Sequence, residues 1–156
     1  MNELSESVEI NAPADTVFRA VSDLPSMGQY SPENTGGEWL GGVQAPGVGA
    51  KFKGTNANGT KSWTTTSTVV EFTPPSAFAF EVTVGPAKVA RWSYSIEPTA
   101  SGCKVTESWI DRRSAFSRWA GGKTSGRHDR ADFTASSIRD TLSNLKNKLE
   151  QAASPS

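Results

Sequence analysis

The chain of 156 residues carries 16 lysines and arginines and 16 aspartates and glutamates, so its net charge near pH 7 is zero. This balance argues against a general nucleic-acid-binding protein, which would carry a basic excess. The single cysteine, Cys103, excludes an intrachain disulfide, and no group of cysteines and histidines has the spacing of a zinc site. We therefore expect no bound metal.

The chain has no segment with the composition of a targeting or membrane-spanning element. No apolar run approaches the roughly 20 residues that cross a bilayer, which predicts no integral membrane association. The polar, acidic segment Met1–Val8 does not have the pattern of a signal peptide, and together with the lone cysteine it favours a cytoplasmic protein. The length fits one domain, which we place at residues 1–152, followed by a frayed tail at 153–156.

The predicted elements begin with a strand over residues 4–10, where apolar and polar residues alternate. A helix follows, with Asn11 placed to cap it and Pro13 in its first turn, and it ends at Pro25. The segment Ser26–Pro32 predicts a second short helix.

The middle of the chain predicts about six further strands. Period-two alternation bounded by glycine and proline is the strand signature, and Asn58-Gly59 is a strong hairpin signal. No helix interrupts these runs, so neighbouring strands should pair antiparallel. The predicted strands are 38–40, 50–56, 61–72, 78–84, 91–97 and 105–110.

The chain closes with a long amphipathic helix, predicted over residues 129–151. Its apolar stripe should face the sheet and consists of Ile138, Leu142, Leu145 and Leu149. Upstream on the same face the residues are small, namely Ala131, Thr134 and Ala135. Short side chains there would leave room above the sheet, and such a gap is typical of a small-molecule pocket.

Several sequence patterns resemble the START/polyketide-cyclase superfamily over nearly the whole chain. They are 7–13 followed by Val17-Phe18 and 21–23, Gly47-x-Gly49-x-x-Phe52, and Trp92-x-Tyr94-x-Ile96 before 105–107; the run 31–37 resembles an actinobacterial subgroup. The resemblance implies an α+β helix-grip fold, in which a curved antiparallel sheet of about seven strands wraps around a long C-terminal helix, with two short helices after strand 1. Members of the superfamily include lipid carriers, hormone receptors, aromatases and cyclases, so the resemblance implies a cavity more than one activity.

The glycine pattern Gly47-x-Gly49-x-x-Phe52 is not a dinucleotide-binding fingerprint, because it lacks the third glycine and precedes a strand. We therefore expect no cofactor. In the resembled family this loop borders the pocket; the alternative is a tight turn with bare backbone.

The candidate ligand-binding residues are aromatic side chains of successive strands, one carboxylate, and small residues of the last helix. They are Tyr30, Trp39, Phe52, Trp63, Phe80, Trp92, Tyr94, Glu107, Trp109, Ala131 and Ala135. If Trp92 and Tyr94 face the helix, then Glu107 and Trp109 do too, provided that the strand register holds. The alternative is an ordinary aromatic core.

Three residues are candidates for catalysis: Glu107, Tyr94 and His128. A carboxyl group on an apolar face would have a raised pKa and could act as an acid or base; alternatively, Glu107 pairs with an arginine or lies at a solvated rim. His128, near the start of the last helix, either reaches the pocket mouth or is an exposed polar residue. Tyr30 or Arg91 would help Glu107 to orient a ligand.

The leading hypothesis is a protein that binds, transports or sequesters a lipid, polyketide or aromatic metabolite. The alternative is a cyclase, aromatase or dehydratase that acts on a poly-carbonyl substrate in the same cavity. A third reading is an interaction module that uses Phe116 and Trp119, which lie among cations in the segment 112–123. The same segment could make weak peripheral contact with anionic lipid headgroups. The sequence predicts no particular oligomeric state.

Overall fold

The computed structural model describes residues 3–25, 34–41, 47–58, 61–112 and 130–153. Within these ranges the chain forms an α+β structure with seven strands and a long C-terminal helix, which confirms the expected fold class. The elements are β1 (Glu3–Ile10), α1 (Ala14–Ser22), β2 (Asn34–Trp39), β3 (Lys51–Asn58), β4 (Lys61–Thr73), β5 (Ala77–Val84), β6 (Ala87–Pro98), β7 (Cys103–Asp111) and α2 (Arg130–Ala153). The second short helix predicted after β1 falls on residues outside the described ranges.

All seven strands belong to one antiparallel sheet, in the order β1-β7-β6-β5-β4-β3-β2. The chain crosses from β1 at one edge to β2 at the other and then returns strand by strand. The last strand therefore pairs with the first, with Val8 opposite Val105. Pairing extends to Asn58, the last residue of β3, and Lys61, the first residue of β4, where the Asn-Gly signal predicts a hairpin.

The two faces of the sheet differ in polarity because side chains alternate along each strand. In β7, the buried Val105, Glu107 and Trp109 alternate with less buried neighbours. The Phe18 ring of α1 lies 5.2 Å from the Phe72 ring and 6.2 Å from the Phe78 ring, centroid to centroid. We call this helix-bearing side the inner face and the opposite side the outer face.

The outer face is polar and rich in hydroxyl groups. Ser5 and Ser108 are hydrogen-bonded across β1 and β7 at 3.2 Å, and Ser7 and Thr106 at 2.9 Å. Such cross-strand hydroxyl pairs add modestly to sheet stability. The apolar side chains that α1 and α2 cover are therefore concentrated on the inner face.

Helix α2 lies along β1 and runs in the same direction. Arg139 Nη1 is 3.6 Å from Glu6 Oε1, and Lys146 Nζ donates to the Glu9 carbonyl at 2.9 Å. The predicted stripe of Ile138, Leu142, Leu145 and Leu149 is buried, as expected for the face toward the sheet. No helix of the described ranges is both long and apolar enough to cross a bilayer.

The predicted cap of α1 is wrong. Pro13, in an extended conformation, directly precedes the helix, and its carbonyl accepts the bond from the Val17 amide at 3.2 Å. Asn11 therefore lies two residues too early to cap the helix. Its backbone N–H donates instead to Glu150 Oε2 at 2.8 Å, which joins the end of β1 to α2. The helix also ends at Ser22, three residues before Pro25.

Candidate functional site

The strand register brings the strand-borne candidates to the inner face. Residues that are directly opposite on neighbouring strands project to the same face. The relevant pairs are Trp39 with Phe52, Asn56 with Trp63, Phe80 with Trp92, Trp92 with Trp109, and Tyr94 with Glu107. Seven aromatic side chains and one carboxyl group from six strands thus share one surface.

Burial of these aromatic side chains is uneven. Phe52, Tyr94 and Trp109 are buried, whereas Trp39, Trp63, Phe80 and Trp92 are half-buried. The Trp39 and Phe52 ring centroids are 5.5 Å apart, and those of Trp92 and Trp109 are 6.5 Å apart. The rings therefore contact one another in pairs, and the half-buried members of the pairs, Trp39 and Trp92, still expose aromatic surface.

Glu107 is a buried carboxyl group of this surface, with 2% of its area exposed. The Tyr94 hydroxyl donates a hydrogen bond of 3.0 Å to its Oε2 atom. The Oε1 atom is buried and has no hydrogen-bond partner among the described residues. Among the described residues no arginine pairs with Glu107, and its carboxyl group is buried rather than at a solvated rim.

Burial controls the protonation of this pair. Burial raises the pKa of Glu107 to about 8, although the hydrogen bond from Tyr94 partly opposes the shift. Burial and the neighbouring Glu107 both raise the pKa of Tyr94 well above its ordinary value. At pH 7 the carboxyl is therefore largely protonated, and Tyr94 keeps its proton. A group with this pKa can bind a neutral ligand as a donor or exchange a proton near neutral pH.

Three polar groups of the inner face were not predicted from the sequence. Glu6 of β1 lies directly opposite Glu107 and contacts Arg139. Asp111 and Ser67 are buried opposite Ala90 and Val82, respectively. Glu6 lies two residues from both Leu4 and Val8, and this period-two spacing is the signal that places Glu6 on their face.

Arg91 does not reach the inner face, which corrects the suggestion that it orients a ligand. It lies opposite Glu81 on β5, and Arg91 Nη1 is 3.6 Å from Glu81 Oε1 on the outer face. The two residues that flank it, Ala90 and Trp92, belong to the inner face because side chains alternate. Arg112 also contacts Glu81, at 3.8 Å.

The remaining candidates are only partly described. Ala135 is half-buried on α2. Ala131 lies in the first turn of α2, but its side chain is outside the described part. Tyr30, His128 and all of the segment 112–123 except Arg112 also lie outside it. In the described part, no cluster of histidine, cysteine, aspartate and glutamate side chains has an arrangement that could hold a metal ion.

Sequence comparison identifies the family. The family model for polyketide cyclase/dehydrase and lipid transport matches residues 1–150. The chain therefore belongs to this family, whose fold suits the binding of hydrophobic ligands. No curated protein is similar enough in sequence to count as a relative.

Solved structures share the fold. A polyketide-cyclase-like protein from Corynebacterium glutamicum is 29% identical, with a TM-score of 0.66 over 96% of this chain and 92% of that one. The Aha1 protein from Colwellia psychrerythraea, solved as a dimer, is 12% identical, with a TM-score of 0.69 over 99% of this chain and 100% of that one. The di-domain ARO/CYC StfQ from the steffimycin biosynthetic pathway is 12% identical, with a TM-score of 0.74 over 97% of this chain and 52% of that one.

Proposed function

We propose that this protein binds a hydrophobic small molecule, such as a lipid, a polyketide or an aromatic metabolite, between the inner face and α2. The observation that carries the proposal is the buried Glu107 carboxyl, whose Oε1 atom has no partner among the described residues. A buried polar atom without a hydrogen bond is costly, so a site that retains one is suited to a ligand that supplies the missing bond. Half-buried aromatic side chains of the same face, with Trp92 and Phe80 on the neighbouring strands β6 and β5, supply apolar contact area.

Apolar burial is sufficient to provide affinity. At about 25 cal/mol per Å², roughly 300 Å² of buried apolar surface corresponds to about 7 kcal/mol before the costs of association. A net free energy of about 7 kcal/mol corresponds to a Kd of roughly 10 μM, and the costs of association weaken binding from that value. The Tyr94–Glu107 pair would then set the orientation of the ligand.

Native mass spectrometry of freshly purified protein tests this proposal. We expect a mass above that of the chain alone, or a rise in Tm when lipids and planar aromatics are added. Trp92→Ala should weaken binding, whereas Thr66→Ala on the outer face is a matched control. A protein that carries no ligand and whose Tm responds to no hydrophobic compound would contradict the proposal.

A second candidate function is cyclisation, aromatisation or dehydration of a poly-carbonyl substrate in the same site. The pKa of Glu107 favours it, because a carboxyl that titrates near 8 can both donate and accept a proton at neutral pH. The test is Glu107→Gln, which keeps the shape but removes proton transfer. Turnover lost with ligand binding retained would support catalysis, whereas unchanged turnover would exclude Glu107 as the acid or base.

A further inference from the structure

Three polar side chains form one row across the inner face. Glu6 on β1, Glu107 on β7 and Tyr94 on β6 occupy directly opposite positions on neighbouring strands. Side chains in such positions lie about 5 Å apart at Cβ, so Glu6 and Glu107 occupy neighbouring positions of the inner face. Tyr94 contacts Glu107 from one side, and Glu6 lies on the other.

The described cations of the strands are confined to one face of the sheet, whereas carboxyl groups lie on both faces. The lysines and arginines whose side chains are described in the strands all lie on the outer face; they are Lys51, Lys53, Lys88, Arg91 and Lys104. The inner face instead carries the carboxyl groups of Glu6, Glu107 and Asp111. An anionic ligand therefore meets carboxyl groups rather than strand-borne cations there.

Among the described side chains of the helices, Arg139 is the cation nearest to this environment. Arg139 of α2 approaches the row, but its guanidinium lies 3.6 Å from Glu6, which it neutralises. The buried residues of α1 are Val17, Phe18, Val21 and Ser22, and the Asp15–Arg19 pair is exposed. The described cations of both helices are therefore already paired. None of them is free to contact a ligand beside Glu107.

The hydrogen-bond pattern around Glu107 indicates what a ligand must supply. Oε2 accepts from Tyr94, so in the neutral acid the proton is carried by Oε1, which has no partner among the described residues. That proton can be satisfied by a carbonyl, ester or hydroxyl oxygen. A carboxylate would also accept it, but at the cost of burying an anion on a face where the described strands carry no lysine or arginine.

We infer that this site, if it binds hydrophobic molecules as proposed above, selects ligands that present an uncharged oxygen acceptor to Glu107 and rejects ligands that present a carboxylate. The neutral oxygen completes the hydrogen bonding of the buried carboxyl group. The apolar body of the ligand lies against the half-buried aromatic side chains. Because recognition uses the acid proton, ionisation of Glu107 opposes binding.

Four probes of matched shape test the inference by isothermal titration calorimetry: 2-acetylnaphthalene, 2-ethylnaphthalene, 2-naphthoate and 2-naphthylmethylamine. We expect the ketone to bind about tenfold more tightly than the hydrocarbon, the size of effect that one hydrogen bond to a buried group supplies. The carboxylate should bind more weakly still. Affinity for the ketone should fall about tenfold between pH 7 and pH 9, since the carboxyl titrates near 8.

Two variants separate the hydrogen bond from general effects on the fold. Glu107→Leu should abolish the preference for ketone over hydrocarbon, whereas Glu107→Gln, which keeps a donor, should retain the preference and lose its dependence on pH. Glu97→Gln, on the outer face, is the matched control and should change neither. Binding of naphthoate or of the amine at least as tight as that of the ketone overturns the inference while leaving the binding proposal intact. If none of the four probes binds, the binding proposal itself fails.

Discussion

At the scale of single residues, Glu107 links pH to stability. Its pKa is about 8 in the fold, against 4.5 for an ordinary glutamate. A carboxyl group whose pKa is raised by folding stabilises the fold at pH values below its ordinary pKa. This contribution is lost as the pH rises toward the pKa of the group in the folded protein. The free energy of unfolding should therefore fall between about pH 4.5 and pH 8.

Glu107→Gln isolates this contribution, because the amide cannot ionise. Relative to the variant, the native protein should lose roughly 1 kcal/mol of stability per pH unit over this window and should reach a plateau above it. Urea unfolding at five pH values from 5 to 9 measures the difference. A constant difference between the two proteins at all five values would show that Glu107 does not ionise in this range.

Tyr94 limits how far the pKa of Glu107 rises above its ordinary value. Its hydroxyl donates to Glu107 and lowers the pKa that burial raises. Tyr94→Phe should therefore raise the pKa of Glu107 further and destabilise the fold by about 1–2 kcal/mol, the cost of an unpaired buried acceptor. Titration of the Glu107 carboxyl carbon by NMR checks the direction. An unchanged midpoint would mean that the hydroxyl does not stabilise the anion.

At the scale of elements, Gly102 in the turn between β6 and β7 permits close contact with the chain that leaves β1. A Cβ atom at this position would collide with the Ile10 carbonyl oxygen and approach the Ala12 amide nitrogen, both of which are backbone atoms. Gly102→Ala should therefore cost about 2–3 kcal/mol, as overpacking in a rigid site does. Gly47→Ala, which meets no atom within 4 Å, is the control. Equal stability of the two variants in urea would contradict this contact.

The C-terminal end of α2 is tied to β1 by Glu150. Its carboxylate accepts from Lys146 at 2.7 Å and from the Asn11 backbone N–H at 2.8 Å, and these contacts lower its pKa. A carboxyl group whose pKa is lowered by folding stabilises the fold at pH values above its ordinary pKa. This effect is lost as the pH falls through the pKa of the group in the folded protein. Glu150→Ala should lower Tm at pH 7 and have less effect below pH 4. Gln151→Ala, one residue on, should leave Tm unchanged at both pH values.

Local patterns predicted the elements and their faces more reliably than the contacts between distant segments. Period-two alternation around Trp92 and Trp109 depends on the backbone of one strand, so it can be recognised within a few residues. Two contacts exist only because α2 lies along β1, although more than 100 residues separate these elements in the chain. They join Glu6 to Arg139 and Asn11 to Glu150. Asparagine favours helix caps, so the local sequence predicts a cap at Asn11, whereas the assembled fold uses the Asn11 backbone N–H to contact Glu150.

At the scale of the whole molecule, the inner face divides into two regions. One is packed against the helices, where Ile10, Ile96, Val105 and Leu145 are almost fully buried. The other carries the half-buried Trp39, Trp63, Phe80 and Trp92. Closely packed side chains determine stability, whereas partly exposed apolar surface is available for binding. The division predicts that stability and ligand affinity depend on different residues of one sheet.

A pair of substitutions on β6 tests this division, because Trp92 and Ile96 lie four residues apart on the same strand and the same face. Ile96→Ala should cost about 2–4 kcal/mol of stability through the cavity it creates, and the folded fraction should keep its affinity for hydrophobic probes. Trp92→Ala should cost less stability, since the ring is already half-exposed, but should weaken probe binding at least fivefold through lost apolar contact. Urea unfolding and calorimetric titration of both variants provide the comparison. If both substitutions lower stability and affinity in parallel, the inner face is one continuous core rather than a packed region beside a binding region.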